Sequence, residues 1–166
     1  MYHVMNHAVA ASWLFLERSD YESRLAILSA AVADDLMRCH AFCLMGNHDH
    51  LLLSTEDDRL AKVMQRINRS YAGTFNQAHG RVGRVFRQPY ESVHVESECH
   101  ALELIRYIAL NSERAGGGAA ESYEWSSYPG LVGVRPAFSF VDPTPASRPM
   151  RPRTSSSTQA RWACGS

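Results

Sequence analysis

The chain has 166 residues, 45% hydrophobic and 20% charged, with 17 basic against 17 acidic side chains and a formal net charge of zero. That length admits one domain with a sizeable core, and the composition is that of a soluble globular chain. A secreted or membrane protein is not expected, because no basic region leads into an apolar run and no run approaches the ~20 residues of a membrane helix.

Residues 2–9, YHVMNHAV, read as a first strand. A helix is expected over 20–38, opened by Ser19 or Asp20, with Leu25, Leu28, Val32 and Leu36 as its apolar stripe. HAFCLM and HDHLLL then flank Gly46-Asn47, a two-residue hairpin signal. Residues 58–78 form a second helix with Leu60, Val63, Met64, Ile67, Tyr71 and Phe75 on one side, broken by Gly80 to Gly83. The segment 84–95, RVFRQPYESVHV, reads as extended, with Pro89 confining part of it to an edge or a bulge. A third helix runs from Glu98 to Asn111, its apolar side Ala101, Leu104, Ile105 and Ile108, and glycines 116–118 end it. From Asp142 the chain is rich in Pro, Ser, Thr and Arg, so a folded domain is expected over 1–141 and a disordered tail over 142–166. The order β-α-β-β-α-β-α places the chain in the α+β class, as a ferredoxin-like antiparallel sheet with helices packed mainly on one face.

Zero net charge hides an uneven distribution. Residues 59–90 contain Arg59, Lys62, Arg66, Arg69, Arg81, Arg84 and Arg87 and no acidic residue, whereas 1–58 hold three basic and nine acidic residues. Such a segment suits a phosphate-contacting surface, and arginine suits bidentate phosphate contacts. The alternative is an ordinary solvated helix face. Cys39, Cys43, Cys99 and Cys164 form neither a disulfide framework nor a C-x-x-C pair, so a reducing cytoplasm is the expected setting.

Two further segments carry chemistry. In NHDHLLL, residues 47–53, His48 and His50 are two apart on a strand and point to one side, where both imidazoles can reach one divalent ion. In RYIALNSERAG, residues 106–116, Tyr107 and Asn111 share a helix face. Two histidines leave coordination positions open for substrate oxygens such as those of a phosphodiester. Tyr107 could attack phosphorus, although a phenol ionises near pH ~10 and needs help to do so. Asn111 reads equally as a third ligand or as a residue capping the helix end. Tyr71 reads as core, Tyr90 as a packing residue, and the histidines at 3, 7, 40, 79, 94 and 100 as scattered.

The segments YHVMNHA, HAFCLMGNHDHLLL, RSYAGTFNQAHGRVGRVFRQPYES, LIRYIALNSERAG and YEWSSY resemble, in this order, those of the REP-associated tyrosine transposases, within the insertion-sequence 200-type single-tyrosine HUH transposases. The resemblance spans roughly residues 2–133. It implies a divalent ion, Mg2+ or Mn2+, on His48, His50 and Asn111, and Tyr107 as the nucleophile. It further implies a ferredoxin-like fold and a DNA transposase that nicks and rejoins single-stranded hairpin DNA through a 5′-phosphotyrosine, as a monomer or homodimer. The basic residues of 59–90 would then grip hairpin phosphates. Three positions depart from the family pattern: Asp49 stands where a hydrophobic residue is usual, His7 where arginine is more frequent, and Ser112 where proline is usual. On a strand Asp49 points away from both histidines, towards the face of Leu51 and Leu53, where a carboxylate is costly unless solvated or paired.

Three other readings compete. One is a domesticated, non-catalytic binder of structured single-stranded DNA, which would bind in a salt-dependent way without forming a covalent product. Another is a structural zinc site on Cys39, Cys43, His48 and His50. The last is a general metal-dependent nuclease leaving hydrolysed ends.

Overall fold

The computed structural model describes residues 1–143 apart from Ala11, Asp57, Ala115 and Gly117, so the tail expected over 142–166 lies outside the described residues beyond Pro143. In chain order the main elements are β1 (Tyr2–His7), α1 (Arg18–Ala33), β2 (Arg38–Met45), β3 (His48–Ser54), α2 (Leu60–Ala78), β4 (Glu91–His94) and α3 (Glu98–Arg114). The four strands form one antiparallel sheet in the order β2-β3-β1-β4. Both β1 and β2 run antiparallel to β3, and α1 crosses between them, the split β-α-β arrangement of a ferredoxin-like fold.

Alternation along the strands sorts the side chains into two cores. Val4, Phe42, Leu44, Leu51 and Leu53 pack with Leu28 of α1 and with Leu60, Val63, Met64, Ile67, Tyr71 and Phe75 of α2. On the opposite face Ala41, Cys43, Met45 and Leu52 meet Ala101, Ile105 and Ile108 of α3. Helices α1 and α2 thus cover one face, as expected for the majority, and α3 covers the other. That split decides which side chains α3 can meet.

Several boundaries depart from the sequence reading. Helix α1 stops at Ala33 rather than 38, because Asp35 adopts a left-handed φ of 53° and β2 begins at Arg38. Its buried line runs through Asp20, Arg24, Leu28 and Ala31, not through the stripe of Leu25, Val32 and Leu36. Gly46 does not serve a left-handed turn conformation. A Cβ there would come within 2.7 Å of the Trp13 ring, which would have to shift. Strand β4 is short, lies at the sheet edge and begins two residues after Pro89. Helix α3 continues past Asn111 to Arg114.

The stretch after α3, for which the sequence suggested no regular element, protects the outer edge of β2. Leu44 N–H donates to Trp125 O at 2.9 Å, Ser127 N–H to Phe42 O at 3.0 Å and Asp142 N–H to Cys39 O at 2.8 Å. Phe138 and Phe140 pack on the Phe42 ring. Among the described residues no helix is long and apolar enough to cross a membrane.

Candidate active site

The central strands β1 and β3 are paired so that Met5 opposes His50 and His7 opposes His48. Because Val4, Leu51 and Leu53 face α1 and α2, alternation turns His3, His7, His48 and His50 all towards α3. Four imidazoles therefore share one patch. The His48 and His50 rings are 5.1 Å apart between centroids and nearly perpendicular, at 88°. His3 stacks on His50 at 5.2 Å, and His7 stacks on His48 at 5.5 Å. The sequence reading scattered His3 and His7. Their even spacing on one strand was the signal for a shared face, but only the β1–β3 register brings them to the other pair.

Burial lowers the pKa of His50 to about 3, and the charges that His48, His3 and His7 would carry push the same way. Burial also lowers His48 and His3, with lesser help from His7 and His100 respectively. At neutral pH these rings are neutral, which is the state in which an imidazole offers a lone pair to a metal.

Helix α3 supplies the rest of the site. Its residues Ala101, Ile105 and Ile108 anchor it on the sheet, and Tyr107, 40% exposed, lies beside the histidines. The Tyr107 ring lies 5.8 Å from His50 and 6.0 Å from His3, both in edge-on contact. The Arg114 guanidinium sits 5.1 Å from the centre of the same ring. Asn111, one turn on, is buried and its amide nitrogen donates to Tyr107 O at 2.9 Å. Since α3 runs to Arg114, Asn111 does not cap the helix end. Its carbonyl oxygen is the atom it has left for a ligand.

Asp49 faces away from the histidines, as alternation requires, and is fully buried. Arg24 Nε donates to its Oδ2 at 2.9 Å, and Asn6 Nδ2 donates to its Oδ1 at 2.6 Å. Arg24 Nη2 is also 2.8 Å from Oδ2, but without hydrogen-bond alignment. The carboxylate that the sequence left in search of a partner is thus paired on both oxygens. Ser112 donates its hydroxyl to Ala109 O at 3.0 Å inside α3.

The basic residues divide into groups. Lys62, Arg66 and Arg69 lie on the exposed side of α2, across the sheet from the histidines. Arg59 pairs with Glu56 at 2.6 Å, Arg66 with Asp34 at 2.5 Å and Arg87 with Glu91 at 2.9 Å. Arg81 donates to Ser12 Oγ at 3.2 Å. Lys62, Arg69 and Arg84 have no ion pair among the described residues. The segment around Arg84 and Arg87 runs beside the end of β1, with Val9 N–H donating to Val85 O at 3.0 Å and Arg87 N–H to His7 O at 2.9 Å. This segment is joined to β1 beside His7, while its Val85 and Phe86 pack in the α1–α2 core.

The zinc reading does not survive the geometry. A bulge at the β2–β3 register between Cys39 and Ala41 breaks the alternation of β2. Cys39 consequently packs with the α1–α2 core and Cys43 with the α3 core, and burial pushes both thiols up to about 12. The two cannot join the histidines at one ion. Among the described residues, Glu17, Asp20 and His79 do bring three ligand atoms within 4.8 Å of one another. Asp20 is already occupied there by the N–H groups of Leu16 and Glu17 and by His79 Nε2, so this is the start of α1 tied to the end of α2.

No protein-family model matches the chain, and no curated protein matches it. Solved structures do. The fold superposes on a REP-associated tyrosine transposase bound to a REP hairpin with a TM-score of 0.65 and 15% identity, covering 85% of this chain and 89% of that one. A candidate transposase from Deinococcus radiodurans gives a TM-score of 0.48 and 16% identity over 69% of this chain and 88% of that one. At such identities the likeness is one of fold, and the first of the two carries it.

Proposed function

We propose that this chain is a DNA transposase that nicks and rejoins single-stranded hairpin DNA, with Tyr107 as the attacking residue. The observation that carries the proposal is the approach of the Tyr107 ring to His50, 5.8 Å between centroids, with both residues in the same chain. A fold shared with a tyrosine transposase bound to a REP hairpin supports the choice of substrate.

The proposed ion is divalent, Mg2+ or Mn2+, held by two imidazoles and one amide oxygen. His48 and His50 are neutral and share a face, and the Asn111 carbonyl oxygen adds a hard donor. When bound, such an ion would polarise a non-bridging phosphate oxygen and offset its charge. Tyr107 Oη forms the bond to phosphorus as the bond from phosphorus to the 3′ oxygen breaks. The phenol gives up its proton and the departing oxygen gains one, which leaves a free 3′ hydroxyl and a 5′-phosphotyrosine. The Arg114 guanidinium lies over the face of the Tyr107 ring, 5.1 Å from its centre, a cation–π contact that holds the ring beside the histidines. Attack by another 3′ hydroxyl reverses the step, so joining needs no nucleotide cofactor.

Asp49, one of the three departures from the family pattern, is held by Arg24 and Asn6 on the face away from the histidines, which is compatible with a working site. The deciding experiment mixes the protein with labelled single-stranded hairpin DNA from repeats in its own genome, with Mg2+ or Mn2+, on a denaturing gel. A slow band lost in Tyr107→Phe and with a chelator is expected. Tight binding with no adduct under either ion would leave a binding protein, and hydrolysed ends without an adduct would mean a nuclease.

A further inference from the structure

Resting on the assignment of His48 and His50 as metal ligands, we infer that Asn47 and His3 are positioning residues that fix which ring nitrogen of each ligand carries its hydrogen. The same atom is engaged in both rings, by unrelated neighbours. His48 Nδ1 lies 2.7 Å from Asn47 Oδ1, an atom that only accepts, so Nδ1 carries the hydrogen and Nε2 the lone pair. His50 Nδ1 lies 3.0 Å from His3 Nε2 in a buried contact. With His50 donating there, His3 keeps its own hydrogen on Nδ1, and Nε2 of His50 is again the free lone pair. Among the described residues neither Nε2 makes a hydrogen bond.

The two devices come from different places. Asn47 belongs to the β2–β3 turn, next in sequence to the ring it holds. His3 is on β1, reaches His50 across the β1–β3 pair, and is itself 5% exposed, its ring within 24° of parallel to His50 and edge-on to Tyr107. Metal-bound histidines generally need such an outer partner to fix ring orientation and basicity, and its loss costs about 10–100-fold in metal affinity or activity. His3 therefore couples the ligand pair to strand β1, and the short polar side chain at 47 is chosen for its acceptor oxygen.

The test reads the hydrogens directly. Long-range proton–nitrogen NMR of the metal-free full chain at mildly alkaline pH should show His48 and His50 with hydrogen on Nδ1. Mn2+ titration by calorimetry should then show His3→Phe, which keeps the ring but not the acceptor, about 10–100-fold weaker than the parent. His3→Gln, whose amide oxygen can take the place of Nε2, should recover most of that loss, and Asn47→Asp should bind more tightly than Asn47→Ala. Hydrogen on Nε2 of His50, or His3→Phe binding within about twofold of the parent while His50→Ala loses the ion, would overturn the inference and leave the ligand assignment standing. Failure of His3→Gln to recover affinity in a chain that still folds would overturn it as well. Mn2+ binding indifferent to His48→Ala and His50→Ala would remove the ligand assignment itself, and the inference with it.

Discussion

Arg24 and Asp49 form an ion pair with no solvent access on either side chain: Nη2 and Oδ2 are 2.8 Å apart and both groups are 0% exposed. The guanidinium is held between Tyr71 and Phe86, 5.3 and 5.6 Å from their ring centres, and its Nη1 has no hydrogen-bond partner among the described residues. Such a pair need not stabilise relative to an apolar one, yet breaking it strands a buried charge. Asp49→Ala and Arg24→Ala should each lower the unfolding free energy by about 3–5 kcal/mol in urea titrations. The double change Arg24→Leu with Asp49→Val should cost clearly less than the sum. Additive losses would mean that the two groups do not act as a pair.

Stability should fall with acid through the histidine patch. His50 is neutral in the folded chain, with its pKa lowered from 6.5 to about 3, while the unfolded chain protonates at the ordinary value. Between those two values the unfolded state binds more protons, so stability is full above about pH 6.5 and declines as the pH drops towards 3. His48 and His3, also lowered, act in the same sense. Thermal midpoints measured from neutral to acid pH should show this decline, and His50→Gln should make it shallower. An identical slope in the variant would place the acid sensitivity elsewhere.

The regular elements were legible wherever their periodicity was apolar. Leu60, Val63, Met64, Ile67, Tyr71 and Phe75 name the buried side of α2 from sequence, and all are buried. Helix α1 was misread because its buried line passes through Asp20 and Arg24, residues that hydropathy assigns to solvent. The candidate site was half legible. His48 and His50 declare a shared face by their spacing, and Tyr107 and Asn111 do so on a helix. That these two faces meet depends on α3 crossing to the side of the sheet that α1 and α2 leave open, which no local pattern encodes. His3 and His7 join them only through strand register, a relation between residues more than forty positions apart in sequence. The fate of Cys39 and Cys43 turned on a single bulge, equally silent in the sequence.

Asn111 offers a separation of two roles. Its amide nitrogen binds Tyr107 O, and its carbonyl oxygen is the proposed ligand. Asn111→Ala loses both, at a stability cost of about 1 kcal/mol for the hydrogen bond, and should weaken Mn2+ binding measured by calorimetry. Asn111→Asp keeps an oxygen donor and should retain the ion better than Asn111→Ala, despite losing the bond to Tyr107 O. If all three proteins bind Mn2+ alike, Asn111 only ties its own helical turn.

The basic residues should separate by whether an acidic neighbour already occupies them. Each phosphate neutralised adds about 0.7 to 0.9 to the slope of log affinity against log salt. Lys62, Arg69 and Arg84 are exposed and hold no ion pair among the described residues, whereas Arg59, Arg66 and Arg87 must first release Glu56, Asp34 and Glu91. Arg84 also sits on the segment joined to the end of β1 beside His7, through Val85 and Arg87. Arg84→Ala is therefore expected to reduce the salt slope of hairpin binding by nearly the value of one phosphate, with Arg66→Ala changing it least. Anisotropy titrations of a labelled hairpin at several salt concentrations measure both. If Arg66→Ala lowers the slope by a full phosphate and Arg84→Ala leaves it unchanged, the DNA path runs over the α2 face, away from Tyr107. That outcome would count against the proposed arrangement of substrate and site.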